Sequence, residues 1–293
     1  MGGMTSSWDF AKGHGTKNDF ILLKDRNSLL TLTPSRVREL CDRHGGIGAD
    51  GVIRIVKAQF VPEWTGDPEL WFMDYRNADG SVAEMCGNGL RVLVRYLLEE
   101  GMVTGPCVDI ATRAGVRSAW PLSDGTIRTA MGGVRVSSQP ASMHHGGRNY
   151  PAVHVNVGNP HLVTFLRDEA ELARLDLQMP PQLDTHAFPE GANVEFVVAD
   201  APDVLRFRVY ERGDAETLSC GTGAVAVAAA HARRLGRGAP HPAREVVPPG
   251  ADEAQVFTVH ARGGKLIVEL TGNQAYLTGP AVIIARGSLV LPE

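Results

Sequence analysis

Two stretches of the chain are apolar at nearly every position, whereas the segments around them form short alternating runs. The first stretch covers residues 90–100, and the second, which is rich in alanine, covers residues 224–235. Each is followed by a glycine, Gly101 or Gly236, at the position where an α-helix commonly ends. Because a helix that is apolar on all sides is a buried helix, the pattern predicts one buried helix in each half of the chain.

Short runs of β-branched and aromatic residues, bounded by turn residues, predict strands on both sides of each helix. The predicted strands span residues 19–23, 52–56, 70–75, 108–112, 116–120, 127–130, 153–157, 162–165, 193–198, 205–210, 256–261, 265–270, 275–277 and 281–285. Shorter helices are predicted at residues 35–44, after a proline that suits a first turn, and at residues 169–176. Residues 238–250 contain four prolines and are predicted to form a loop.

The second half of the chain repeats the plan of the first. Tyr75 precedes Cys86 by eleven residues, and Tyr210 precedes Cys220 by ten. This repeat predicts an α+β protein with two pseudo-symmetric lobes, each folded around a central buried helix that carries a cysteine at its mouth. We expect the active site in the cleft between the lobes, which is a usual place for a ligand pocket.

The expected domain boundaries follow from local composition. Residues 137–149 are rich in Ser, Gly, His and Pro and are predicted to link the lobes. The N-terminal lobe is then expected at residues 8–136, completed by residues 279–293, and the C-terminal lobe at residues 150–278.

The composition limits the classes of function. The chain has 293 residues, of which 43% are hydrophobic, and a formal net charge of −4. It can therefore fill the cores of two lobes, and without a basic block it is not expected to bind nucleic acid. No run approaches the ~18 consecutive apolar residues of a membrane span, and residues 1–10 lack the apolar core of a signal peptide. We expect a cytoplasmic protein with no membrane partner.

The four cysteines fall into two kinds. Four in a chain of this length do not make a disulfide scaffold, and their spacing matches no metal site, so no metal is expected. Cys41 and Cys107 lie in apolar contexts and are predicted to be small buried residues. Cys86 and Cys220 differ because each begins a Cys-Gly-x-Gly run followed by a predicted helix. One such run is most simply a helix-capping turn, but its duplication favours a catalytic element.

The chemistry of these runs explains that interpretation. A thiol at a helix N-terminus lies where backbone N–H groups and the helix dipole stabilise a thiolate. The residues that follow, Gly87 with Asn88 and Gly221 with Thr222, present N–H groups to a substrate carboxylate. Asn88 and Thr222 are also candidate N-caps. Two such thiols acting on one carbon would supply an acid and a base without any cofactor.

The run from Gly46 to Gly51 matches the pattern G-x-G-x-x-G. A dinucleotide-binding fingerprint requires a strand before this pattern and a helix after it. Here a predicted helix precedes it and a predicted strand follows. The glycines are therefore interpreted as a turn that uses positive φ angles, not as a nucleotide site.

Glycine and asparagine recur together in predicted turns, at residues 15–19, 77–80, 158–161 and 191–193. Each is most simply an Asx-type turn, yet together they could supply amide groups for a zwitterionic ligand. Glu211 and Arg212 could hold an ammonium and a carboxylate, or could form a surface ion pair. His161 could polarise a thiol or could be structural.

Taken in order, these motifs resemble the diaminopimelate epimerase family, from about Phe10 to the end of the chain. The matching segments are residues 13–20, 46–51, 75–80, 86–89, 158–161, 191–196 and 210–223. The resemblance implies two lobes, each a β-barrel-like sheet around a central helix. It also implies cofactor-independent interconversion of L,L- and meso-2,6-diaminopimelate, in lysine and cell-wall precursor biosynthesis.

The resemblance assigns roles to individual residues. Cys86 and Cys220 would be the acid/base pair, with His161 and Glu211 supporting the thiols. The implied substrate-binding residues are Asn18, Asn77, Asn159, Asn193, Glu211 and Arg212, together with the backbone N–H groups of Gly87, Asn88, Gly221 and Thr222. Some members have Gln where this chain has Gly51, so a distal substrate contact is expected to differ. Homodimers are common in the family, although these residues mark no interface.

Other functions are compatible with the same residues. A racemase of the same fold could act on another amino acid, such as proline or histidine. A redox protein could use the two cysteines as a reversible disulfide, and it would catalyse no isotope exchange into any amino acid. A non-catalytic amino-acid-binding module would tolerate the loss of both thiols.

Overall fold

A computed structural model describes residues 7–213, 215–237, 254–272 and 274–290. In chain order the strands are β1 (Ser7–Gly15), β2 (Asn18–Lys24), β3 (Gly51–Lys57), β4 (Trp71–Asn77), β5 (Val108–Thr112), β6 (Gly115–Pro121), β7 (Ile127–Gly132), β8 (Arg135–Val136), β9 (Ala141–His145), β10 (Arg148–Asn156), β11 (Pro160–Phe165), β12 (Asn193–Ala201), β13 (Val204–Tyr210), β14 (Glu216–Thr217), β15 (Gln255–Ala261), β16 (Gly264–Thr271), β17 (Gln274–Gly279) and β18 (Val282–Val290). The helices are α1 (Pro34–Cys41), α2 (Gly87–Glu99), α3 (Glu169–Ala173) and α4 (Gly221–Arg234), with a 3₁₀ turn at Ala58–Phe60. The loop predicted at residues 238–250 lies outside the described residues.

The chain divides into two compact units. The first consists of the described residues of Met1–Thr129 and Pro280–Glu293, and the second of those of Ala130–Gly279. The boundary between them falls within β7.

In the first unit the strands pair in the order β18, β1, β2, β3, β4, β5, β6, β7. The β2–β3 and β4–β5 pairs are parallel, and the others are antiparallel. A parallel pair needs a crossover connection rather than a hairpin. The chain between β2 and β3 contains α1, and the chain between β4 and β5 contains α2.

The second unit repeats this topology strand for strand. Its strands pair in the order β8, β10, β11, β12, β13, β15, β16, β17. Its parallel pairs are β11–β12 and β13–β15, whose crossovers contain α3 and α4. Two short additions, β9 and β14, pair with β10 and β13. The predicted α+β class and internal repeat are confirmed, with a mixed sheet that is not closed into a barrel.

Each long helix is enclosed by the strands of its own unit. Helix α2 packs against β1, β2, β3, β4, β6 and β18, and α4 packs against β8, β10, β11, β12, β13, β15, β16 and β17. Most residues of both helices are buried on every side, as their apolar patterns predict. None of the described helices is long and apolar enough to span a membrane.

Strand β1 was not predicted, and its glycines explain why. A Cβ on Gly13 would lie 2.7 Å from the Val282 carbonyl oxygen and 2.9 Å from Val92 Cγ1. The strand therefore passes between β18 and α2 at a distance that only glycine permits. An apolar pattern cannot report such a close approach, because the residue that allows it carries no side chain.

The segment predicted to link the lobes, residues 137–149, contains β9 and the start of β10. They form a hairpin through Gly146 and Gly147, whose φ angles of 56° and 75° match the positive values that a type I′ turn requires. Cys107 is exposed rather than buried, because it precedes β5 in a loop, whereas Cys41 is buried as predicted.

Candidate active site

The first thiol centre lies at the N-terminus of α2. Cys86 is the N-cap residue, with extended backbone at φ −137° and ψ 119°, and its Sγ accepts the backbone N–H of Gly89 at 3.4 Å. Asn88 is not the cap that the sequence suggested; it is buried within the first turn. The thiol is thereby fixed at the helix end where N–H groups have no intrahelical partner.

Two asparagines connect this thiol to its surroundings. The Cys86 thiol donates to Asn18 Oδ1 at 3.8 Å, and Asn88 Nδ2 donates to the same oxygen at 3.2 Å. Asn18 Nδ2 in turn donates to Asp50 Oδ2 at 2.8 Å. Burial raises the pKa of Asp50 even though Asn18 donates to its carboxylate. Asn18, Cys86 and Asn88, three residues predicted for the site, thus form one hydrogen-bonded group.

Beneath this group lies Arg91, which sequence analysis did not single out. Its side chain is completely buried, and Nη2 donates to Asn88 Oδ1 at 2.7 Å. Its other N–H groups donate to the carbonyl oxygens of Gly87 and Pro280, both at 3.4 Å. Burial lowers the pKa of Arg91 to about 10, while the Cys86 thiol acts to raise it. The guanidinium therefore remains a cation at neutral pH and favours a negative charge on Cys86.

Asn77 and Gly51 lie side by side at one end of the β3–β4 pair. Asn77 Nδ2 donates to Ser81 Oγ at 3.0 Å, and the Asn77 N–H donates to the Ser81 carbonyl at 3.0 Å. Asn77 therefore holds the turn that follows β4. A Cβ on Gly51 would lie 2.5 Å from the Arg76 carbonyl oxygen, so this backbone has no room for a side chain at that position.

The second thiol centre lies at the N-terminus of α4. Cys220 is the N-cap, with φ −118° and ψ 119°, and its Sγ accepts the backbone N–H of Gly223 at 3.4 Å. The hydroxyl of Thr222 lies 3.5 Å from the same sulfur. Thr222 is thus a partner of the thiol rather than the cap, and Cys220 is only 6% exposed.

A completely buried histidine–glutamate pair lies below this second thiol. His161 Nδ1 is 2.7 Å from Glu195 Oε1, and His161 Nε2 is 3.0 Å from Asn159 Oδ1. Both His161 and Glu195 have no exposed surface. The second carboxylate oxygen of Glu195, Oε2, is buried without a hydrogen-bond partner among the described residues. Sequence analysis proposed His161 and Asn159 but missed Glu195.

The electrostatics of Cys220 differ from the sequence-based expectation of a lowered thiol pKa. Burial raises the pKa of the Cys220 thiol well above its usual range, and the carboxylates of Glu211 and Glu195 raise it further. The Thr222 hydroxyl and the Gly223 N–H act in the opposite direction but are outweighed. The prediction fails here because a helix N-terminus stabilises a thiolate less than burial beside two carboxylates destabilises it.

The remaining predicted residues of the second unit lie at the ends of β12 and β13. Asn193 is buried, and its Oδ1 accepts the backbone N–H of Arg212 at 2.8 Å. The Arg212 side chain is half exposed and pairs with Glu190 at 3.7 Å rather than with Glu211. Glu211 instead accepts the hydroxyl of Thr217. The Arg212 guanidinium thus lies at the surface of its unit.

Arg91 and Glu195 left only a weak signal in the sequence. Each is a charged residue inside a largely apolar run, residues 90–98 and 194–198 respectively. Arg95 follows Arg91 by one helical turn and is partly exposed, so the pattern alone does not reveal which arginine points inward.

The fold is shared with solved structures of low sequence identity. A Bacillus anthracis phenazine biosynthesis protein of the PhzF family has a TM-score of 0.70 at 14% identity, covering 98% of this chain and all of that one. A hydroxyproline epimerase from Agrobacterium vitis has a TM-score of 0.66 at 14% identity, covering 99% of this chain and 94% of that one. These likenesses define the fold, and the relatives described next define the protein as an isomerase of the epimerase and racemase type.

The family follows from sequence. The model of the diaminopimelate epimerase family matches residues 10–137 and 153–284. A diaminopimelate epimerase of Thermobifida fusca is 46% identical over 96% of this chain and 98% of its own length, and one of Streptomyces coelicolor is 43% identical over 97% and 96%. The chain belongs to the diaminopimelate epimerase family.

Proposed function

We propose that this chain epimerises L,L-2,6-diaminopimelate to meso-diaminopimelate without a cofactor, using Cys86 and Cys220 as base and acid. The observation that carries the proposal is the exact repetition of one element, a cysteine that caps a buried helix through its sulfur, in two units of the same topology. The reaction would supply lysine and cell-wall precursor biosynthesis. Its need for two reduced thiols supports a cytoplasmic location.

The proposed reaction needs no proton donor or acceptor other than the two cysteine thiols. One cysteine, as thiolate, takes the Cα proton, and the electron pair of the C–H bond moves into the α-carboxylate. The other cysteine, as thiol, gives its proton to the opposite face of the same carbon. The two cysteines finish with exchanged protonation states, which is the form that catalyses the reverse reaction.

The carbanion needs electrostatic stabilisation, because no ring cofactor takes up its charge. The first-turn N–H groups of Gly87, Asn88, Gly221 and Thr222 are suited to the reacting carboxylate, since helix N-termini bind anions. Fixed dipoles of this kind stabilise developing charge more effectively than water does. Asn18, Asn77, Asn159, Asn193, Glu211 and Arg212 complete the proposed substrate contacts.

The decisive experiment incubates the reduced protein with L,L-diaminopimelate in D₂O and follows Cα deuteration and meso product by NMR. Both signals are expected to appear together. Cys86→Ala and Cys220→Ala should each lower the rate of epimerisation by about 10²- to 10⁴-fold, the usual contribution of a positioned acid or base. Cys107→Ala is the matched control, because Cys107 is an exposed thiol in a loop, and it should retain full activity.

The outcomes separate the alternatives. If the protein exchanges deuterium into proline or another amino acid but not into diaminopimelate, the chemistry holds and the substrate is wrong. If no amino acid exchanges, or if either active-site variant turns over at the rate of the wild type, the two-cysteine epimerase is rejected.

A further inference from the structure

Glu195 lies beneath the first turn of α4, at the point where that helix carries its thiol. A Cβ built on Gly223 would lie 2.7 Å from Glu195 Oε1 and 3.3 Å from Cys220 Sγ. The carboxylate and the sulfur therefore approach the same small region of the helix from two sides. Gly223 leaves the space that the carboxylate occupies.

The hydrogen bonds of His161 fix the position of the Glu195 carboxyl group. Both ring nitrogens of His161 lie within 3.0 Å of oxygens, one from Glu195 and one from Asn159. An amide oxygen only accepts, so Nε2 carries the proton toward Asn159. A further proton must then lie between Nδ1 and Glu195 Oε1, which are 2.7 Å apart. This hydrogen bond fixes the position of the Glu195 carboxyl group beside the first turn of α4.

The fold itself does not require this pair. The strand registers place Phe20 opposite Gly51 in the first unit and His161 opposite Asn193 in the second. Ile53 lies two residues after Gly51 on β3, and Glu195 lies two residues after Asn193 on β12. The first unit thus has Phe20 and Ile53 where the second has His161 and Glu195, and Ile53 Cδ1 lies 3.1 Å from a Cβ built on Gly89. Apolar residues fill the same positions in the first unit, so a buried polar pair, which is costly to desolvate, points to a role at Cys220.

We propose that Glu195 is a positioning residue that keeps Cys220 protonated in the resting enzyme, so that this cysteine is the proton donor when substrate arrives. His161 holds the Glu195 carboxyl group in place below the sulfur through their 2.7 Å hydrogen bond. The titratable groups around the thiol in the described structure are Glu195 on β12, Glu211 after β13, and His161 on β11, the partner of Glu195. The statement that Cys220 donates a proton to the substrate rests on the proposed function. The statement that Cys220 is protonated in the absence of substrate does not.

The test measures the thiol without substrate. In a Cys86→Ala/Cys107→Ala protein, the alkylation of Cys220 by iodoacetamide is followed against pH by peptide mass spectrometry. Glu195→Gln keeps the shape and removes the charge, so the midpoint should fall by about one pH unit or more, with alkylation about tenfold faster below the midpoint. Glu169→Gln, which removes an exposed carboxylate of the same unit, should leave the midpoint unchanged.

An unchanged midpoint in folded Glu195→Gln protein would overturn the proposal. If that variant does not fold, His161→Phe/Glu195→Ile provides the same test, because it copies the apolar pair of the first unit. The pH midpoint of Cys220 alkylation should also fall in this variant. A midpoint equal to that of the Cys86→Ala/Cys107→Ala protein would contradict the proposal. Since no substrate is present, failure of the proposed epimerase reaction does not alter either result.

Discussion

The N-termini of α2 and α4 share one backbone arrangement and differ in the charges placed around it. In both, a cysteine caps the helix and its sulfur accepts an N–H three residues later at 3.4 Å. The fifth residue after the cysteine is Arg91 in the first unit and Val225 in the second, both completely buried. The cation of the first unit thus has no counterpart in α4, and the buried carboxylate of Glu195 has none in β3.

This difference distinguishes the residues that the fold requires from the residues that set the charge around each thiol. The capping thiol and the glycines that follow it recur, because they belong to the duplicated element. The charged residues do not recur, although the same pockets accept apolar side chains in the other unit. Duplication therefore supplied two similar thiols, and substitutions beneath them gave one a cationic and the other an anionic environment.

The largest expected effect comes from removing the cation of the first unit. Arg91→Met keeps an unbranched side chain but removes the N–H donors to Asn88 Oδ1 and to the carbonyls of Gly87 and Pro280. We expect a loss of about 3 kcal/mol in the free energy of unfolding, since hydrogen bonds from a charged donor contribute about 1.5–3 kcal/mol each. Urea denaturation measures this loss, and iodoacetamide alkylation of Cys86 at neutral pH should become slower in the folded variant.

The control for this prediction makes the same chemical change at the surface. Arg36 pairs with the exposed Glu39 on α1, and Arg36→Met should change the free energy of unfolding by no more than about 0.5 kcal/mol. Equal losses of unfolding free energy in Arg91→Met and Arg36→Met would contradict the proposed difference in charge around the two thiols. Unchanged alkylation of Cys86 in Arg91→Met would contradict it as well.

A smaller effect is expected from the third residue of each helix. In Gly223→Ala the new methyl group meets Glu195 Oε1 at 2.7 Å, and that carboxylate is held by His161. In Gly89→Ala it meets Met73 Cε at 2.8 Å and Ile53 Cδ1 at 3.1 Å, the ends of side chains that can rotate. We expect Gly223→Ala to destabilise by about 1–3 kcal/mol, the usual cost of overpacking.

Gly89→Ala should cost less than Gly223→Ala, because the ends of the Met73 and Ile53 side chains can rotate away from the new methyl group. The gain in helix propensity, about 1 kcal/mol, is common to both variants. Urea denaturation of both variants measures the difference. If Gly89→Ala destabilises as much as Gly223→Ala, the Glu195 carboxyl group can move more easily than its hydrogen bond with His161 implies.

The sequence was sufficient for the parts of the fold that depend on apolar pattern. It predicted both buried helices, the repeated plan and the cysteines that begin α2 and α4. It missed β1 and β9, because they depend on close approach at Gly13 and on a two-glycine turn rather than on apolar side chains.

The candidate site was predictable only in part. Cys86, Asn18 and Asn88, which the resemblance assigned to one site, form one hydrogen-bonded group. The charges below the thiols were not predictable, because Arg91 and Glu195 act from the far side of a helix or a strand. The direction of the Cys220 pKa depends on burial and on those residues, and neither can be inferred from the Cys-Gly-x-Gly run.

The most direct test of this account compares both thiols in one sample of the reduced wild-type protein. Alkylation of Cys86 and Cys220 by iodoacetamide would be followed against pH, with buried Cys41, whose pKa burial raises to about 12, as the unreactive reference. A raised pKa keeps a thiol protonated to higher pH, so Cys86 should reach its alkylation midpoint at least about one pH unit below Cys220. Equal midpoints, or a lower midpoint for Cys220, would contradict the division of charge between the two centres.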